Sequence, residues 1–246
     1  MLEGLYSAAA GMSAQQEQLD AISNDLANVS TSGYKSERVA FSDLLYNTVD
    51  DAGTETSTGG GSKAQVIGAS QTQGTIQETG NPLDLAIEGE GFFQVTRANG
   101  QTSLTRDGNF NLDASGAIVN GEGSRLTPPI KLPAGVQPSE LRIASDGTVT
   151  AGARKLGQIE LMTVTAPEHL LSDGSGGFTA TAESGAAHAI QAGAGKVHQG
   201  ALEGSNVDLD REMALMVSTQ RDFQMTSSAI QTESQMMSIA NQLRPA

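Results

Sequence analysis

The side chains best suited to acid–base or metal chemistry in this 246-residue chain are three histidines, His169, His188 and His198. They fall within 30 residues, but no two stand at a spacing that sets ligands on one helix face. No HExxH motif and no cysteine accompany them. Their Gly-rich surroundings read as loops carrying scattered surface histidines. Gly193-Ala194-Gly195-Lys196-Val197 looks superficially like a phosphate loop. Such a loop needs glycine five positions before the Gly-Lys pair and a Ser or Thr after the lysine, and Ile190 and Val197 stand there instead. Asn206-Val207-Asp208-Leu209-Asp210 opens like a calcium loop, but Arg211 replaces the glycine of its sharp turn and no glutamate follows at the right distance. Helix capping is the plainer use of those residues. Glu88-Gly89-Glu90-Gly91 sets two carboxylates close together, as a glycoside hydrolase requires. No tryptophan exists to stack a sugar, and a tight turn with solvated carboxylates accounts for the segment. No catalytic residue, metal ligand set or cofactor site is assigned.

Composition points the same way. Only 9 residues are aromatic (6 Phe, 3 Tyr), 29 are glycine, and 37% are hydrophobic. That is too thin for a large catalytic core and too rich in glycine for an ordinary domain. The 28 acidic residues against 14 basic ones give a net charge of −14. Nucleic acid is excluded as a partner, because phosphates need a basic footprint, and an acidic leaflet would repel the chain. No apolar run is long enough to insert in lipid. Glu3 stands where a secretory signal carries basic residues, so any passage out of the cytoplasm is expected to use another route. Absence of cysteine suits an oxidising destination.

The elements that position these residues differ between the ends and the middle. Met1, Leu5, Ala8, Met12, Gln15, Leu19, Ile22, Leu26 and Val29 alternate four and three residues apart, the seam of a coiled-coil helix. Ser30 to Gly33 end it, Gly33 suiting a left-handed backbone. A second seam runs Leu209, Met213, Met216, Gln220, Phe223, Ser227, Ile230, Ser234 and Met237, after the cap-rich Ser205-Asn206-Val207-Asp208. Both seams are interrupted by polar or small residues, so an isolated pair is expected to be weak and to order fully only against partners.

Residues 50–75, including Gly59-Gly60-Gly61, read as a flexible or extended linker. Short alternating runs follow at 83–87, 92–96, 110–112, 117–119, 141–143, 148–150 and 158–164. Asn99-Gly100, Asp107-Gly108, Asp113-Ala114-Ser115-Gly116 and Asp146-Gly147 predict hairpin turns between them. Residues 172–200 read as loops with one or two short strands. The expected fold is α+β: long N- and C-terminal helices in a coiled-coil-like pair, with an all-β meander or small barrel between. The segments are 1–33, helix; 34–80, linker and extended segment; 81–204, β domain; and 205–246, helix. Folding such a chain brings its ends together and leaves the β domain as a lobe, a layout suited to a polymer subunit.

Ser23-Asn24-Asp25-Leu26-Ala27-Asn28 running through Thr31 to Gly33-Tyr34-Lys35 closely resembles the N-terminal signature of the flagellar rod and hook proteins. Asp25 stands where that family usually has asparagine. Leu83-Asp84-Leu85-Ala86-Ile87, Gly91-Phe92-Phe93, Thr105-Arg106-Asp107-Gly108, Gly204-Ser205-Asn206-Val207-Asp208 and Gln220-Arg221-Asp222-Phe223 resemble later signatures in the same order. Asp222 departs from the usual alanine. The length and the linker after Tyr46 look most like the distal-rod or proximal-rod members, since hook proteins carry a further outer domain. The resemblance implies a structural subunit of the basal-body rod, exported by the flagellar type III apparatus without a cleaved signal peptide. It implies helical self-assembly outside the cytoplasmic membrane, both terminal helices in an inner tube and the β domain forming an outer layer. The implied partners are copies of itself, other rod subunits, the hook protein, and ring or bushing proteins. Leu5, Met12, Leu19, Ile22, Leu26, Asn28, Met216, Phe223, Ile230 and Met237 are the expected interface residues. A soluble binding module, with the helices as an internal clasp, and a cell-wall glycan hydrolase are the alternative readings.

Overall fold

The computed structural model describes residues 2–44, 47–51, 54–58, 60–133, 136–174, 176–191 and 193–242. Met1 of the first seam, and Tyr46 and Gly59 of the expected linker, lie outside the described residues. The fold is α+β, with helices at both ends of a β-rich middle. The chain divides into two compact units: a helical unit of Met1–Leu26, Glu37–Val66 and Asp208–Ala246, and a β unit of Ala27–Ser36 and Ile67–Val207.

In the helical unit, α1 spans Leu2–Ala27 and α2 spans Leu209–Gln242. At about 1.5 Å per residue they run roughly 39 and 51 Å. α1 stops two residues short of Val29, where the apolar pattern runs out. Asp208 caps α2: its Oδ1 accepts the N–H groups of Asp210 at 3.1 Å and Arg211 at 3.2 Å, with Asp210 and Glu212 in the first turn. Carboxylates there complement the positive end of the helix dipole. Gly4, early in α1, lies beside Glu233, late in α2, while Asp25 at the end of α1 faces Glu212 in the first turn of α2. The helices therefore run antiparallel. Within the span expected as linker or extended segment, the described residues include strands. Glu37–Asp43 pairs with Ser62–Ala69, and Asn47–Asp51 pairs with Thr54–Thr58.

In the β unit, one large sheet is built around Phe92–Thr96. One side of that strand pairs with Thr102–Thr105, across the expected Asn99-Gly100 hairpin. Its other side is shared: Phe92 and Phe93 meet Leu161–Thr163, while Gln94 to Thr96 meet Arg125–Thr127. The Asp113–Gly116 and Asp146-Gly147 turns also join hairpins. Asp107-Gly108 does not: the strands on either side of it are not neighbours, and the Gly108 carbonyl instead accepts the Leu85 N–H at 3.0 Å. The strand order along the sheet departs from sequence order, so the middle is not a simple meander. Sixteen buried apolar residues, among them Leu85, Ile87, Phe93, Phe110, Ile118, Leu126 and Val149, form the main core. A smaller cluster gathers Phe92, Leu104, Val164, Leu170 and Phe178.

Candidate functional site

The most constrained polar site in the β unit lies where stretches distant in sequence come together around Glu203. Glu203, at the end of Ala201–Glu203, is fully buried. Its Oε1 accepts from Lys35 Nζ at 2.6 Å and from the Gly74 N–H at 3.0 Å, and its Oε2 accepts from Arg106 at 3.1 Å. Lys35 donates also to the Thr72 carbonyl at 2.8 Å, and Arg106 to the Gly89 carbonyl at 2.8 Å. The Arg106 guanidinium stands 5.3 Å from the centre of the Phe92 ring, a cation–π contact strengthened by burial. Burial holds the Lys35 ammonium below its ordinary value, outweighing Glu203, which pulls the other way. The same conflict lowers Arg106. Two buried cations thus share one carboxylate. This arrangement clamps chain to chain.

Backbone contacts reinforce it. The Gly33 N–H donates to the Glu203 carbonyl at 2.8 Å, and the Asn206 N–H to the Tyr34 carbonyl at 3.3 Å. Asn206 accepts the Ser36 N–H at 2.8 Å and donates to the carbonyls of Ser70 and Thr72. Gly33 has φ +69°, and a Cβ there would fall inside the Arg106–Asp107 peptide. Glycine is needed on both counts. Gly33 keeps the left-handed backbone expected of it, but six residues beyond α1 rather than at its cap.

The expected interface residues lie on the two helices and just past α1. Ile22 is buried; Leu5, Met12, Leu19, Leu26 and Asn28 are half-buried, as are Met216, Phe223, Ile230 and Met237. On α2 the inward face is completed by Glu212, Thr219, Thr226 and Glu233, again alternating four and three residues apart. Leu209, Met213, Gln220 and Ser234, expected in that seam, are exposed instead. On α1 the most deeply buried residues are Ala14, Ala21, Ile22 and Asp25: Ile22 belongs to the expected seam, and the other three each stand one residue before a member of it. Asp25, the departure from the usual motif, is 3% exposed.

The chemistry-bearing candidates are dispersed. His198 bonds Glu88 at 2.7 Å across adjacent strands, which holds the exposed Glu88 carboxyl below its ordinary value. His169 lies 3.7 Å from Glu183. Gly195–Gln199 is a strand beside Leu85–Gly89, with Lys196 opposite Glu88. Asp208 caps a helix, as expected.

Three family descriptions match along the chain. Residues 5–35 match the flagella basal body rod protein family, residues 86–151 the flagellar hook protein FlgE/F/G D1 domain, and residues 198–243 the flagellar basal body rod FlgEFG protein C-terminal family. The chain is 36% identical to the flagellar basal-body rod protein FlgG of Borreliella burgdorferi, over 99% of each chain. It is 36% identical to that of Bacillus subtilis, covering 96% of this chain and 97% of the relative. The flagellar basal-body rod protein FlgF of Mesorhizobium japonicum is 29% identical, covering 93% of this chain and 92% of that one. Each of the three matched segments supplies a member of the buried cluster: Lys35, Arg106 and Glu203. The chain belongs to the flagellar basal-body rod protein family.

Proposed function

We propose that the chain is a non-enzymatic structural subunit of the flagellar rod, building a helical array through its terminal helices to carry torque from motor to hook. The observation that carries this reading is the apolar surface that the helices leave outward. Tyr6 is 75% exposed, Met225 64%, and Met213, Val217, Met236 and Ile239 are also exposed. Apolar residues gathered on one element mark a surface that another protein covers. The inward four-three faces form a coiled-coil-like pair, and the outward residues meet neighbouring copies. A contact between unlike patches that does not close on itself extends as a helix. Export runs through the flagellar type III apparatus, and the working place is the basal body outside the cytoplasmic membrane. Other rod subunits, the hook protein and ring or bushing proteins are the further partners. No cofactor is required. Segments 1–33 and 205–246 serve assembly, 34–80 is the linker and extended segment, and 81–204 is the β domain.

Leu26→Asp tests the reading. Leu26 is half-buried beside Asp25, so the substitution adds a desolvated charge to an already acidic place. Polymer is expected to be undetectable by sedimentation and electron microscopy, and a strain relying on the variant to be non-motile. The near-ultraviolet signal of the β unit should persist. A normally swimming strain would sink this use of the seam. With a net charge of −14, neighbouring copies repel. Assembly is therefore expected to strengthen with added salt until the Debye length falls below about 10 Å near 0.1 M, then level off. Light scattering that ignores ionic strength would count against repulsion as the brake.

A further inference from the structure

Three carboxylates from three elements converge in the helical unit. Asp25, in the last turn of α1, is 3% exposed. Its Oδ1 accepts the Glu37 backbone N–H at 3.0 Å, which pins the start of strand Glu37–Asp43 to the helix. The Glu37 side chain turns back to the same turn, accepting from Asn24 Nδ2 at 2.9 Å. Glu212, in the first turn of α2, lies near enough to Asp25 for the two charges to act on each other. The charged groups acting on Glu212 are Asp25, Asp208 and Arg211; on Glu37, Asp25 acts as a charge and Asn24 as a donor. Arg211 is the one cation in that set.

We propose that Asp25, Glu37 and Glu212 form an acid-tightened latch: proton uptake relieves carboxylate repulsion where α1, the following strand and α2 meet, so the helices hold together more firmly in mild acid. The geometry supplies the cause. Asp25 is fixed by its backbone bond and cannot move away from the two glutamates. Each glutamate is partly withdrawn from water, so charge on it is costly, and the charge that acts on it most strongly, Asp25, is of like sign. Burial first, and Asp25 after it, hold both glutamate carboxyls above the ordinary 4.5. The folded chain therefore binds these protons before the unfolded chain does. Their contribution to stability is least favourable above the raised values, improves as pH falls through them, and levels off below the ordinary value. Most paired carboxylates behave in the opposite sense. Asp113, lowered to about 2 by Ser115 and the Ala117 N–H, is an example in the β unit.

The test is thermal melting of the helical signal by circular dichroism, on dilute chain shown by sedimentation to be monomeric. Failure to polymerise therefore has no bearing on the outcome. Between pH values of about 7.5 and 5 the helical midpoint is expected to rise, by on the order of 2 °C or more. Asp25→Asn keeps an oxygen for the Glu37 N–H and removes the charge. It should raise the midpoint near neutrality and flatten most of the pH dependence. Glu212→Gln, on the other helix, should do the same to a smaller degree, and decides the matter if the first variant does not fold. A wild-type midpoint that stays level or falls on acidification overturns the latch, as does an unchanged pH profile in the folded variants.

Discussion

Replacing Glu203 by alanine is expected to destabilise the β unit by about 3–5 kcal/mol, the cost of leaving buried charges without their partner. Lys35 and Arg106 have side-chain exposures of 0% and 5%. Neither can reach water when the carboxylate goes, and the Gly74 N–H loses its acceptor as well. Against a total stability of roughly 5–15 kcal/mol for a domain, that loss is severe. The thermal midpoint of the β unit should fall by on the order of 10 °C. Alanine at Glu203 in a Lys35→Met background separates the charge effect from the lost packing. The double substitution should cost clearly less than the sum of the two single ones, because each leaves the other group stranded. Additive costs would show that the cluster is three independent contacts and not a clamp.

Phe93→Ala should be comparably damaging, by about 3–5 kcal/mol, through a cavity rather than a charge. Phe93 is fully buried and its ring meets Phe110 edge to face, with centroids 5.3 Å apart. Its strand is the one from which the sheet extends on both sides. The chain has only 6 phenylalanines, and the contacts Phe93–Phe110 and Phe92–Phe178 occupy four of them. Few large side chains are available to collapse into the void. Denaturant unfolding should show a lower midpoint with an unchanged slope. Phe93→Leu, which leaves a smaller gap, should recover most of the loss; equal damage from both would point to strain instead.

The parts of the fold that the sequence announces are those specified locally. Phe92–Thr96 matches its forecast at both ends, because alternating apolar residues bounded by turns admit few other conformations. Among the strands that the sequence does not announce are Thr102–Thr105, Arg125–Thr127 and Arg154–Gln158. Each carries a single large apolar residue among polar ones. Neighbours that need hydrogen-bond partners make them strands, and composition does not. On α2 four residues of the expected seam, Leu209, Met213, Gln220 and Ser234, are exposed for a related reason. Thr219, Thr226, Glu212 and Glu233 face inward on α2, and a search for apolar repeats passes over them. At the clamp, the motifs containing Lys35 and Arg106 were visible, but Glu203 lies 168 residues from Lys35 and 97 from Arg106. No local pattern marks it. Asn206 was legible as polar and near a helix start, which suggested a cap. Its bonds to Ser36, Ser70 and Thr72 serve the β unit instead, and the cap is Asp208.

The chain first enters the β unit at Ala27 and last leaves it at Val207, and these first and last of its four crossings are spliced to each other by the Gly33, Tyr34, Lys35 and Ser36 bonds to Glu203 and Asn206. A pull on one terminal helix therefore has a route to the other that bypasses the Phe93 core. In the proposed rod subunit, tension between the terminal helices would fall first on a handful of polar contacts between residues 33–36 and 203–206 and not on the hydrophobic interior. Strands of the large sheet could then lengthen, shorten or change their surface without altering that path.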